Sequence, residues 1–140
     1  MFNPSRDQAR QFLVTAWHKR RAALPATPLE TLAADLIAVH PEYHALLEAD
    51  DALSREWTPE MGQTNPFLHL SLHLAVEEQL SIDQPPGIRA ALERLLNQRD
   101  SRHAALHTVI DALAETLWQA QRDRQPLDAE RYLERICRSL

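Results

Sequence analysis

The stretch that most restricts this chain is Asn65-Pro66-Phe67-Leu68-His69-Leu70-Ser71-Leu72-His73-Leu74-Ala75-Val76-Glu77-Glu78-Gln79-Leu80. Asn65 before Pro66 is a helix start, because the Asn side chain satisfies one orphan amide and Pro at the first helical position removes another. Beyond that start the sequence is apolar on nearly every side, so this helix must be buried by neighbours rather than laid on a surface. A chain that has to wrap one helix in others is a bundle. The same helix carries His69, His73 and Glu77 at spacings of four, stacked along one stripe. Two imidazoles and a carboxylate are costly to bury without partners, and a metal ion would satisfy all three.

The rest of the chain supplies the wrapping. Asn3-Pro4 opens a first helix expected to reach about Ala23, with Ala9, Phe12, Leu13, Ala16, Trp17 and Leu24 along its apolar stripe. Pro25 stops it. Thr27-Pro28-Leu29-Glu30 reads as a capping box, and Leu29, Leu32, Ala33, Leu36 and Ile37 give the second helix its apolar face. His40-Pro41 breaks that pattern, since the residue before proline is pushed out of helical geometry. A short third helix restarts at Pro41 with Tyr43, His44, Leu46 and Leu47. From Asp50 to Thr64 the pattern lapses, apart from a turn at Ala52, Leu53 and Trp57. Thr58-Pro59 and Gly62 mark a connection there, the place for a loop that covers something.

After the central helix, residues 81–87 form a stiff connector, and Pro86 starts a helix with Ile88, Ala91, Leu92, Leu95 and Leu96 apolar. Asp100 or Ser101 caps a long helix to about Arg122, carrying Leu106, Val109, Ile110, Leu113, Leu117 and Trp118. Asp128 caps a last helix to about Arg138, with Tyr132, Leu133 and Ile136 turned inward. The chain has two glycines against nine prolines, and no strand-like alternation competes anywhere. The expectation is all-α: a helical bundle of about six to seven helices with proline-stiffened connections, in a single domain over residues 1–140.

Charge and cysteine usage narrow the partners. A formal net charge of −5 argues against a nucleic-acid binder. The one basic cluster, His18-Lys19-Arg20-Arg21, sits at the end of the first helix, where it complements the helix dipole. A lone cysteine, Cys137, excludes an internal disulfide and fits a reducing compartment. The N-terminus lacks a signal-peptide pattern, and no apolar run approaches the roughly 20 residues a membrane span needs. A cytoplasmic protein without nucleic-acid or membrane partners is expected.

Six of the seven histidines form three pairs with one spacing: His40/His44, His69/His73 and His103/His107. Each pair is followed four residues later by an acid, Glu48, Glu77 or Asp111. Pro41 separates His40 from the helix carrying His44, so the first pair need not share a face. His103 and His107 share a face with Leu106, Ile110 and Ala114, with Asp111 at its edge and Glu115 further round. On the central helix Glu78 points away from the histidine stripe, beside Leu74 and Phe67.

Two core helices that each present His-x-x-x-His and then a carboxylate can bracket one or two ions. Such donors suit iron, zinc or manganese, and equally nickel or copper, while a bridging carboxylate suits a two-metal site. Against this stands a plainer reading, in which core histidines bond to carbonyls and an i,i+4 His/acid pair merely stabilises its helix. Four inward histidines on two helices favour the metal. There is no Gly-rich phosphate loop, paired-cysteine motif or nucleophile elbow. Ser71 lies well off the histidine stripe, so a Ser-His pair is not expected. Acids near a metal-bound water can act as general bases, but these residues select no reaction.

Three segments carry a family resemblance: Phe2-Asn3-Pro4-Ser5-Arg6, His40-Pro41-Glu42-Tyr43-His44 and Asn65-Pro66-Phe67-Leu68-His69-Leu70. Glu78-Gln79, Asp83-Gln84-Pro85-Pro86-Gly87-Ile88-Arg89 and Trp118 extend it. With these the chain resembles a family of short bacterial proteins catalogued as a domain of unknown function, number 1841, and the resemblance implies no activity. A looser likeness is to hemerythrin-type di-iron bundles. Their five histidines, one Glu and one Asp would fall on His44, His69, His73, His103, His107, Glu77 and Asp111. The last helix contains no histidine to supply that family's closing motif.

The leading expectation is therefore a metal-binding bundle in a redox, sensing or storage role, with its His/carboxylate site between the central and long helices. Its expected metal ligands are His44, His69, His73, Glu77, His103, His107 and Asp111, with Glu78 or Glu115 as substitutes for Glu77 or Asp111. The alternative is a metal-free protein-interaction module built over a buried His/acid hydrogen-bond network. A homodimer or another protein partner is compatible with both.

Overall fold

A computed structural model of the chain describes residues 6–55, 57 and 65–139. Seven α-helices lie among them: α1 (Arg6–Arg21), α2 (Pro28–Ala38), α3 (His44–Glu48), α4 (Pro66–Ile82), α5 (Ile88–Leu96), α6 (Arg102–Asp123) and α7 (Ala129–Arg138). A single 3-10 turn, Pro41–Tyr43, precedes α3, and no strand occurs among the described residues. The all-α expectation holds. No helix is long and apolar enough to cross a membrane among the described residues. The expected Asn3-Pro4 helix start, and the loop signals Thr58-Pro59 and Gly62, lie outside the described residues.

The helix starts follow the capping chemistry of the sequence. Thr27 Oγ1 accepts the Glu30 amide while the Glu30 carboxylate accepts the Thr27 amide, a complete capping box before Pro28. Asn65 Oδ1 accepts the amides of Phe67 and Leu68 at the head of α4. Ser101 Oγ and Asp128 Oδ1 do the same for Ala104 and Arg131 at the heads of α6 and α7. α5 starts differently. Pro86 does not open it; Gly87, at φ +100°, is its N-cap. A Cβ there would meet only the Leu133 side chain at 3.9 Å, so the backbone angle and not crowding requires glycine.

The chain divides into two compact units, one ending at Leu74 and the other beginning at Ala75. In the first, Leu13, Ala16, Trp17, Ala33, Ile37, Leu47, Ala52, Phe67 and Leu70 form one buried cluster. The basic end of α1 is tied to acids on its neighbours: Lys19 to Glu30 at 2.9 Å, Arg20 to Asp35, and Arg21 to Glu48 at 3.2 Å. Those three cations thus face carboxylates. Arg10 is 1 % exposed, its guanidinium 4.8 Å from the Phe67 ring centroid and 5.3 Å from that of Trp57. It donates to the Arg55 carbonyl at 2.7 Å, so a cation from α1 holds the segment after α3 in place.

In the second unit Val76, Leu80, Ile88, Ala91, Leu95, Leu106, Val109, Ile110, Leu113, Tyr132 and Ile136 are buried. The Tyr132 hydroxyl donates to Gln79 Oε1 at 2.7 Å, and burial pushes its acidity well down. Arg89 donates to the Leu80 and Ser81 carbonyls, closing the C-terminal end of α4. Four side chains read as apolar-face residues are exposed instead: Leu24, Leu29, Leu96 and Trp118. Trp118 stands about 140° round the helix from buried Leu113, off the stripe that Thr116 continues, and the Arg122 guanidinium covers its ring at 4.8 Å.

Candidate metal centre

The site begins with a proline. Pro41 pushes His40 out of the α2 helix to φ −123° and ψ 66°. The ring turns back and its Nδ1 lies 2.7 Å from the Leu36 carbonyl oxygen, 1 % exposed. A carbonyl only accepts, so Nδ1 donates this bond and Nε2 is the ring nitrogen turned from it. Metal-ligating histidines are held in this way, with the second nitrogen donating to a backbone oxygen.

α4 delivers the next two rings. His73 lies in the buried stripe of the helix with Leu70 and Val76, at 1 % exposure, and His69 one turn earlier is half-buried. Ring centroids stand 5.1 Å apart for His40 and His69, 4.7 Å for His40 and His73, and 4.8 Å for His69 and His73. The rings meet edge to face, at 70° to 77°. Stacked imidazoles would present π faces to each other; edge contacts bring nitrogens inward. His40, His69 and His73 each offer a ligand nitrogen, and these nitrogens all lie within 4.8 Å of one another.

Tyr43 walls the group on one side. Its ring stacks on His40 at 5.5 Å and meets His69 at 5.9 Å, and desolvation first, then the nearby Glu42 charge, raises its phenol pKa. Phe67 and Leu70 are buried on the same helix.

Of the ligands expected from the sequence, His69 and His73 stand in this group with His40. The rest have the following surroundings. His44 Nε2 lies 2.8 Å from the Ile37 carbonyl oxygen, and its ring packs on Trp17 at 4.4 Å. Trp17 Nε1 in turn donates to Glu48 at 3.1 Å. Glu77 accepts from both terminal nitrogens of Arg102, at 3.1 and 3.4 Å. The His103 ring lies 4.1 Å from that of His107, and Asp111 and Glu78 are exposed. Glu115 pairs with Arg135 at 3.6 Å.

His40 is the member that sequence reasoning passed over. The sequence did carry its signal: the His-Pro step that removes residue 40 from the helix also frees its ring to turn back on the helix end.

Comparison with curated proteins and with solved structures gives no match. The family model described as Domain of unknown function (DUF1841) matches residues 5–138. On that match, covering nearly the whole chain, the protein belongs to the DUF1841 family.

Proposed function

We propose that this protein binds one transition-metal ion at a site built on His40, His69 and His73, and serves in a redox, sensing or storage role. The observation that carries the reading is the convergence of the His40, His69 and His73 imidazoles, two of them 1 % exposed, with ligand atoms within 4.8 Å. Core packing rarely gathers so many polar rings at one point, because each adds a desolvation cost, and a shared ion would repay it for all of them at once. Nitrogen-only donors favour zinc, copper, nickel or iron over the hard ions magnesium and calcium. The reading assigns one ion rather than two, because the acids needed to bridge a second, Glu77 and Asp111, are respectively paired with Arg102 and exposed. His44 we assign to support of the α2 end rather than to coordination, and His103 to packing on His107.

The test is a metal titration of metal-free protein followed by thermal unfolding. One equivalent is expected to saturate, and a metal at a hundredfold excess over its Kd adds about 2.7 kcal/mol of stability, about 10 °C in Tm for a chain of this size. His40→Ala and His73→Ala are each expected to abolish the shift. An unchanged Tm across zinc, copper, nickel, cobalt and iron would favour a metal-free hydrogen-bond network and an interaction role.

A further inference from the structure

We propose that Tyr43 is a positioning residue of the histidine site: its aromatic ring, not its hydroxyl, fixes the angle at which His40 and His69 present their nitrogens to an ion. The inference rests on the metal reading above and names what sets the geometry of that site. Its starting point is the backbone. After His40 the chain makes the 3-10 turn Pro41–Tyr43, in which the Tyr43 amide donates to the His40 carbonyl at 2.9 Å. Side chains three residues apart in such a turn stand over one another. His40 and Tyr43 are that pair, and their rings lie parallel within 5°, with centroids 5.5 Å apart. The next residue, His44, falls outside this column, and its ring packs on Trp17.

The same phenol ring reaches α4, meeting the His69 ring edge to face at 70° and 5.9 Å. Tyr43 therefore touches one imidazole brought by the turn after α2 and another brought by α4. Its own place is fixed by packing on the apolar cluster that contains Ile37 and Leu47. Once a histidine backbone is placed, the turn of the ring about its Cβ–Cγ bond remains soft. On His40 that rotation is restrained by the Leu36 carbonyl, 2.7 Å from Nδ1, and by the Tyr43 face. On His69 the Tyr43 ring adds its restraint to those of the His40 and His73 rings. An aromatic face favours particular ring angles, which an aliphatic side chain of similar bulk does not. Without a ring at position 43 the imidazoles must be ordered by the ion itself, which weakens binding.

Cobalt(II) titration of metal-free full-length protein, followed by its d–d absorption, tests this. Tyr43→Phe is expected to match wild type in affinity and in band shape. Tyr43→Leu and Tyr43→Gln, shown by circular dichroism to be folded, are expected to bind cobalt about tenfold or more weakly and with an altered d–d spectrum. Leu13→Ala, a core truncation on α1, is expected to lower Tm while keeping the affinity and spectrum of wild type. Ringless variants that bind cobalt as wild type does, with the same spectrum, overturn the proposal and leave metal binding intact. So does an equal loss in Tyr43→Phe, which assigns the effect to the hydroxyl, or in Leu13→Ala, which assigns it to stability at large. Wild type that takes up no cobalt, zinc, copper, nickel or iron overturns both readings together.

Discussion

His40 and His44 show how two identical side chains four residues apart acquire different work. Each lies against a carbonyl at the end of α2, His40 on Leu36 and His44 on Ile37, but through opposite nitrogens. His40 bonds through Nδ1 and His44 through Nε2, so each turns the other ring nitrogen away from the helix end. Only His40 joins the histidine group; His44 packs on Trp17. His44→Ala is therefore expected to cost about 2 kcal/mol through the lost hydrogen bond and ring packing, while one equivalent of metal still binds. Urea midpoints and metal titration of the same variant check both halves. Tyr132 makes a second residue-scale case. Its phenol is buried, its pKa is raised, and Gln79 accepts its proton's bond at 2.7 Å. A raised pKa means the contribution is present in full below the ordinary phenol value of about 10 and is lost as pH rises beyond it. Tyr132→Phe is expected to cost about 1–2 kcal/mol at neutral pH and to flatten the alkaline loss of stability.

Among the elements, α2 has both of its ends closed by side chains. The capping box closes the first turn and the two imidazoles close the last. Thr27→Ala is expected to lower stability by about 1 kcal/mol. The Thr27 amide foremost, with the Lys19 ammonium, holds the Glu30 carboxyl below its ordinary range. A lowered pKa means its contribution is present above the usual value of about 4.3 and disappears as pH falls through the folded value. Wild type and Glu30→Gln are thus expected to differ in Tm at neutral pH and to converge in acid. Helix starts of this kind were legible in the sequence, because Thr27, Asn65, Ser101 and Asp128 each act on amides two or three residues away. Which apolar residues end up covered was less legible. Leu29 and Trp118 fit a helical period, but the period marks a direction and not whether a neighbour reaches that far along it.

For the molecule as a whole, the histidine group joins residue 40, at the end of α2, to residues 69 and 73 on α4. Rings drawn from separate helices would make metal binding a contribution to folding free energy, not only to occupancy. The fourfold spacing of His69 and His73 put both rings on one helix stripe. His40 has the same spacing to His44, but its place depends on a break in the helix, and the partner of Glu77, Arg102, is twenty-five residues on. Spacing reports what lies on one helix; it is silent on which charged neighbour reaches a carboxylate first.

The central claim is that these imidazoles hold an ion. Elemental analysis of protein purified without added metal, beside a His40→Ala/His73→Ala double variant shown by circular dichroism to be folded, tests it most directly. The expected result is close to one transition-metal ion per native chain and near zero in the variant. Equal, near-zero metal in both, with no uptake when ions are supplied, would contradict it.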